Sequence, residues 1–529
     1  MSVRDSLSVV SEASRPAWED LVRSDRVHGS LYTDPDIYQQ ELRKIWFRTW
    51  VYVGHESEVP NPNDYVMKSI GPEPVIMTRD RAGTIHLLHN RCTHRGNQLC
   101  MSEQGNARSF TCPYHGWTFA NDGALRGYPF PSGYEGVDRR ELGLGRVARM
   151  QSYRGFVFAS MASDGPSLLE HLGGATRAID TLCDTSPEGE VQITAGFLKH
   201  KVRANWKFLV ENETDGYHPS FVHASIFEVA QSGIGSLYSA ESTAVSRDFG
   251  NGHTENDLRP EFRKRGVPLS WFGTTPDKLP DYVARMEAAH GAERAHRIMI
   301  DGTPHVMVFP NLFIAEIQIF VIQPLAVDQT VQHVTALQFK GAPDLNRRMR
   351  QQTMGSVGPA GFLLADDAEM YERTQVGVQM RNPEWLYLGR GKHRERRFKF
   401  GERDGVDVEG VASRGFEGAN AAFAKNDVVV AALNQVVGGE QPLFEGRGQA
   451  AFEQHGFTHL RELFQKRVVV HVARTDLKGV HDVHEIADLP GIGDFGDERH
   501  AGFLFHALDD FKSFTTQALK GIGIGAEFI

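Results

Sequence analysis

Two segments of this sequence hold residues whose types and spacing suit metal chemistry. The first, "RCTHRGNQLCMSEQGNARSFTCPYHGW" (residues 91–117), carries Cys92 and His94, then Cys112 and His115, in the spacing C-x-H-x17-C-x2-H. Each pair is tight enough for one short loop to present both side chains to one metal site, so two hairpin tips would clamp a metal group between them. Zinc also takes two Cys and two His, but the common zinc patterns put both Cys in one pair and both His in the other. Here each pair is mixed. That arrangement predicts a [2Fe–2S] cluster with two Cys on a buried iron and two His on an outer one. Neutral imidazoles in place of thiolates raise the potential above that of an all-Cys cluster. Such a cluster takes one electron from a low-potential donor and passes it to a more oxidising acceptor. Cys100 and Cys183 belong to neither pair and read as packed free thiols.

An electron relay needs a destination, and "NWKFLVENETDGYHPSFVH" (205–223) offers His218 and His223, preceded by Asp215. Two His and one carboxylate hold the iron of non-haem Fe(II) oxygenases, leaving one face open for O2 and substrate. "GPAGFLLADDAE" (358–369) supplies Asp366 and Asp367 on a predicted helix, although an adjacent Asp pair is more often a solvated helix face.

The elements that must position these residues follow from texture. Residues 1–44 read as a polar, partly helical lead-in to the catalytic portion. From 45 to 162, short β-branched or alternating runs separated by Gly, Pro, Asn and Asp predict a small all-β module. From 163 to 400 the pattern is mixed: a helix in "PSLLEHLGGATRAIDTL", a helix or helix–loop around 204–225, antiparallel strands broken at Pro310 and Pro324, and helices interrupted at Gly358-Pro359. The expected class is α+β, a β module inserted in a domain of antiparallel sheet and helices. From Gly401 to Ile529 the chain has no Trp, Tyr, Cys or Met, which marks 401–529 as an atypical C-terminal extension. Within it, "GIGDFG" (491–496) fits a dinucleotide motif only nominally, and "HDVHE" (481–485) reads as a solvated segment.

Bulk properties narrow the function. The chain has 529 residues, 40% of them hydrophobic, and a net charge of −10, unlike a basic nucleic-acid binder. Four cysteines are too few for a disulfide scaffold in a chain this long. With no signal-peptide pattern and no apolar run long enough for a membrane span, a cytoplasmic location is expected.

Taken together, "CTH…CPYHGW", "YRGFVFAS", "NWKFLVENETDGYHPSFVH" and "GPAGFLLADDAE" resemble the large (α) subunits of Rieske non-haem iron aromatic-ring-hydroxylating dioxygenases, over about residues 15–396. The resemblance implies a Rieske [2Fe–2S] cluster on Cys92, His94, Cys112 and His115, and a mononuclear Fe(II) on His218, His223 and Asp367, with Asp366 a lesser candidate. It implies that Asp215 links His115 of one subunit to His218 of the next, and that Asn212 lines the iron pocket. The stretches 222–230 and 357–364, with Phe221, Ile226, Phe227, Phe362, Leu363 and Leu364, would shape an apolar pocket for an aromatic substrate. Electrons would come from NADH through a reductase, directly or through a ferredoxin, and both atoms of O2 would enter the ring as a cis-dihydrodiol. Assembly would be a trimer, α3 or α3β3 with a small β subunit. Rival readings are a Rieske monooxygenase or demethylase, and a Rieske electron carrier without oxygen chemistry, which the second metal set argues against.

Overall fold

Trp206, Phe208, Leu209 and Val210 are buried together with Lys207, so the Trp206–Glu213 helix has no solvent face over its first turns and runs through the interior. The computed structural model describes residues 21–410, apart from 24, 214, 230–236, 238–241, 243, 359–360, 381, 391–394 and 400–405. In it this helix lies against a nine-stranded antiparallel sheet. From one edge the strand order is Leu198–Val202, Gln329–Ala336, Gln318–Ala326, Leu312–Ala315, His305–Val308, His253–Asp257, Val245–Gly250, Val406–Gly410 and Glu395–Lys399. Two long helices, Pro343–Val357 and Phe362–Val378, follow the central strands and are separated at the expected Gly358 break.

Two expectations meet a different structure. Pro324 does not break its strand: it pairs with Thr330 inside Gln318–Ala326, at a register shift beside the hairpin turn. The neighbouring Leu312–Ala315 strand has already ended opposite Val321, so a residue without an N–H is tolerated there. The sheet also runs past residue 400, where the catalytic portion was expected to end. The Glu395–Lys399 and Val406–Gly410 strands pair with each other, and the second pairs with Val245–Gly250. The fragments at 481–485 and 491–496 lie outside the described residues.

The region from Val51 to Ser160 is all β apart from short single turns. A three-stranded sheet joins Arg149–Tyr153, Phe156–Ser160 and Val51–His55; a four-stranded sheet joins Ile85–His89, Glu73–Arg79, Asp64–Ile70 and Gln104–Asn106; a third joins Leu125–Gly127, Thr118–Ala120 and Ser109–Thr111. Asn311, from the large sheet, fastens this module by acting as a surrogate strand. Its amide donates to the Tyr52 carbonyl at 2.9 Å and its side-chain oxygen accepts from the Tyr52 N–H at 3.0 Å. The whole is an α+β fold with an inserted β module.

The N-terminal helices pack on the interior helix, and Leu42 and Trp46 also lie against Gly71 of the β module. Tyr32 stacks on Phe208 with centroids 4.2 Å apart, and Trp46 meets Trp206 edge-on at 5.2 Å. Between them lies a buried ion pair: Lys207 Nζ reaches Glu41 Oε1 at 2.7 Å, and Trp206 Nε1 donates to Glu41 Oε2 at 2.9 Å. Removing one member of such a pair strands the other charge away from water. Lys207→Met is therefore expected to destabilise the chain by about 3–5 kcal/mol, and adding Glu41→Gln should recover part of the loss. Thermal unfolding followed by circular dichroism checks both.

Candidate metal centres

The two Cys/His pairs are held by loops of matching design. Cys112 starts the tip of the hairpin between Ser109–Thr111 and Thr118–Ala120, closed by Cys112 N–H donating to the Trp117 carbonyl at 2.7 Å. The first pair sits in the loop that leaves the Ile85–His89 strand, not at a hairpin tip as the spacing suggested, and Cys92 N–H donates there to Asn97 O at 2.8 Å. In each loop the cysteine carbonyl accepts from a glycine N–H at 2.9 Å, Gly96 in one and Gly116 in the other. Those glycines have φ of +74° and +71°, a conformation other residues rarely adopt. The repeated turn puts both cysteines inside, each 2% exposed, while His94 and His115 stay half-buried. The two imidazoles face each other with centroids 4.5 Å apart. Burial and the neighbouring His115 and Arg95 hold the His94 imidazole below its ordinary range, which favours the neutral, metal-binding form. Thiols inside and imidazoles outside fit a mixed-ligand [2Fe–2S] cluster. Cys100 is buried but outside this set, its thiol turned to the Ser102 carbonyl at 3.4 Å, and Cys183 is buried in the Ala175–Asp184 helix.

Sequence reading missed what holds the first loop. Asn90, buried at the end of the apolar "TIHLLH" run, accepts from the Leu99 and Cys100 N–H groups at 3.0 and 2.9 Å and donates to the Cys100 carbonyl at 2.8 Å. Trp117 stacks flat on His94, centroids 4.9 Å apart. A polar residue directly before the motif was the only available signal for Asn90.

The second centre is built from two helical segments. His218 and His223 flank the one-turn Pro219–Val222 helix, and Asp367 projects from the first turns of Phe362–Val378. Ligand atoms of these three side chains lie within 4.8 Å of one another. Asp367 Oδ1 is 3.5 Å from His218 Nε2 and 3.3 Å from His223 Nε2. That oxygen is buried and accepts no hydrogen bond, a costly state unless a cation meets it. Three such donors close together, one of them an unmatched buried carboxylate oxygen, would suit one divalent metal. Asn212 reaches the same edge, with Nδ2 3.5 Å from His218 Nε2.

Carboxylates stand behind the rings. Asp215 Oδ2 is 3.4 Å from His218 Nδ1 and Asp366 Oδ2 is 3.6 Å from His223 Nδ1. Asp215 is fixed by accepting from the Tyr217 N–H at 2.6 Å and the His218 N–H at 3.3 Å. Of the expected pocket residues, Val357 and Leu364 are packed into the core, Phe221 and Phe362 are exposed, and Ile226 and Phe227 are half-buried. Ala230 lies outside the described residues.

The comparisons with known proteins bear on both centres. Residues 49–143 match the Rieske [2Fe-2S] domain, and residues 185–437 match the ring hydroxylating alpha subunit (catalytic domain). Over 400 residues the chain is 32% identical to the large subunit of 2-halobenzoate 1,2-dioxygenase from Burkholderia cepacia, covering 72% of this chain and 84% of that one. The chain belongs to the large-subunit family of Rieske ring-hydroxylating dioxygenases. Another relative is the large subunit of anthranilate 1,2-dioxygenase from Acinetobacter baylyi, 32% identical over 381 residues, 70% of this chain and 80% of that one. Among solved structures, a naphthalene 1,2-dioxygenase variant bound to phenanthrene is similar at a TM-score of 0.67 and 26% identity, over 79% of this chain and 96% of that one. A quaternary ammonium Rieske monooxygenase, 17% identical with a TM-score of 0.53, shares the fold.

This oxygenase therefore uses a Rieske [2Fe–2S] cluster and a mononuclear iron. Among the described residues, no helix is long and apolar enough to cross a membrane. Two further groups beside the iron centre escaped the sequence reading. His305 donates through Nε2 to the Glu213 carbonyl at 3.0 Å and through Nδ1 to Glu316 at 2.8 Å. Burial pushes the His305 imidazole down, but the Glu316 carboxylate and the Glu213 carbonyl outweigh it and hold the ring above its ordinary range; it caps the C-terminal end of the Trp206–Glu213 helix, where a positive charge is favoured. Burial pushes the Glu213 carboxyl well above the usual carboxylate range, with Asp367 adding to the shift and the Gln332 amide opposing it.

Burial pushes the His223 imidazole down, but Asp366 and Asp367 outweigh it and hold the ring up at about 9. A divalent metal bound at His223 must displace that proton. Below pH 9 metal affinity is expected to fall with falling pH, by up to about tenfold per unit, and to level off above it. Calorimetric titration of Co(II) into the iron-depleted protein, in buffers of different ionisation enthalpy, counts the proton released.

Proposed function

We propose that this chain is the oxygenase component that adds both atoms of O2 to adjacent carbons of an aromatic ring, giving a cis-dihydrodiol. The observation that carries this reading is the buried Asp367 oxygen facing two imidazole nitrogens at 3.3 and 3.5 Å, since a pure electron carrier needs no second metal set. Relatives named for 2-halobenzoate, toluate, anthranilate and naphthalene share an aromatic ring as the common feature of their substrates. The overall balance is arene, O2, two electrons and two protons to diol, with NADH as the electron source.

In this reading Cys92, His94, Cys112 and His115 hold the Rieske cluster, and His218, His223 and Asp367 hold the iron. The cluster supplies electrons singly, and the iron supplies the site at which O2 and substrate meet. Asn212, whose Nδ2 lies 3.5 Å from His218 Nε2, and the half-buried Ile226 and Phe227 are the groups assigned to the substrate side in this reading. Their work is to orient the ring and keep water away from the reacting carbons. The Asp215 carboxylate orients His218 from behind. His115 Nδ1 is buried and makes no hydrogen bond among the described residues, as a nitrogen facing the cluster would; the other ring nitrogen is then the one that meets Asp215 of a neighbouring subunit in an α3 or α3β3 assembly. A reductase, with or without a ferredoxin, delivers the electrons, and a small β subunit completes the complex. Residues 438–529, beyond the matched catalytic domain, take no part in this chemistry in this reading.

With reductase, NADH and a panel of arenes and aromatic acids, labelling with 18O2 should place both heavy atoms in one diol. One labelled oxygen in product and one in water would show a monooxygenase instead. His223→Ala should lower product formation at least about 100-fold while the reduced Rieske EPR signal persists. Product at the wild-type rate would remove His223 from the iron site.

A further inference from the structure

The adjacent pair Asp366 and Asp367 does two different things to one histidine. Asp367 Oδ1 faces His223 Nε2 at 3.3 Å, whereas Asp366 Oδ2 faces Nδ1, on the opposite edge of the same ring, at 3.6 Å. Both carboxylates come from consecutive positions of one helix, about 100° apart around its axis, so the helix grips the imidazole from both edges. A metal on Nε2 leaves the ring proton on Nδ1. That nitrogen is buried and makes no hydrogen bond to any other described group, so its proton needs an acceptor. Asp366 Oδ2 stands a few tenths of an ångström beyond hydrogen-bond range.

We propose that Asp366 is a positioning residue for the mononuclear metal: its carboxylate accepts the Nδ1–H of His223 and fixes the ring with Nε2 turned toward Asp367. The inference rests on the ligand set proposed above. His218 supports it by analogy, since its Nε2 faces Asp367 and its Nδ1 faces a different carboxylate, Asp215, at 3.4 Å. Each ligand imidazole thus has its own acceptor behind it, one from the loop that carries the histidines and one from the Phe362–Val378 helix. Groups of this kind fix ring orientation and raise ligand basicity. Asp366 is not itself placed to bind the ion, because it stands beyond the ring edge that points away from it.

The test uses the full chain with its Rieske cluster intact and its mononuclear metal removed by chelation, titrated with Co(II), whose visible absorption reports its ligand geometry. Asp366→Leu is expected to weaken Co(II) binding about 10–100-fold and to alter the spectrum, while Asp366→Asn, whose side-chain oxygen still accepts, stays within about fivefold of wild type. Asp367→Asn should lose binding altogether. Wild-type affinity and spectrum for Asp366→Leu would overturn the positioning role while leaving the ligand set standing. Binding retained by Asp367→Asn but lost by Asp366→Asn would overturn the ligand set itself, and this role with it. The Rieske EPR signal and the melting curve of the metal-depleted chain read folding separately. If Asp366→Leu fails them, Asp366→Ala carries the same expectation and the same refutation.

Discussion

A buried carboxylate oxygen with no donor is the constraint around which the catalytic domain is arranged. Among the described residues Asp367 Oδ1 accepts no hydrogen bond, and two imidazole nitrogens from a segment about 150 residues earlier stand 3.3 and 3.5 Å from it. Bringing those groups together requires the Trp206–Glu213 and Phe362–Val378 helices to pack side by side against one face of the large sheet. The buried Lys207–Glu41 pair and the His305 cap hold the first of these helices at its two ends.

The β module solves a different problem. A cluster shared by two loops needs those loops to be nearly identical in shape, because each must deliver one ligand inward and one outward. The same carbonyl-to-glycine closure occurs in both, from Cys92 to Gly96 and from Cys112 to Gly116. One loop has its histidine two residues after the cysteine and the other three, yet the rings meet at 4.5 Å. The closure absorbs the difference. Rigidity comes from outside the loops, through Asn90 beneath one and Trp117 stacked on His94. A rigid cluster frame is what a one-electron carrier needs, since little reorganisation then accompanies the change of charge.

Much of this was legible in the sequence, for physical reasons that differ by element. The C-x-H and C-x2-H pairs are local, and loops of two to four residues fix their own geometry. The strands of the β module announced themselves by β-branched runs between turn residues, and the break at Gly358 by its Gly-Pro step. Pro324 misled because a missing N–H matters only where a partner strand awaits it, and pairing is not local information. The end of the sheet at Gly410 was hidden for the same reason: "VDVEG" is an unremarkable pentapeptide until Val245–Gly250 offers it an edge. The pocket residues Val357 and Leu364 turned inward because apolar character alone does not separate a pocket wall from a core.

The roles within the Asp366–Asp367 pair show most clearly where sequence reading stops. Two identical side chains one residue apart differ by a rotation of about 100° around the helix, and that rotation decides which edge of His223 each one meets. Composition, spacing and periodicity are the same for both. Only the position of the ring, fixed by a helical turn on another part of the chain, makes one oxygen face Nε2 and the other Nδ1. His305 illustrates the same limit from the other side: its sequence context is an ordinary strand start, yet its two hydrogen bonds make it the cap on the C-terminal, negative end of a helix that carries Asn212 and leads into Asp215. Residues that bind a metal directly can be found by type and spacing, because the ion demands particular donors. Residues that aim those donors are ordinary in type, and their function exists only in the orientation of a neighbour.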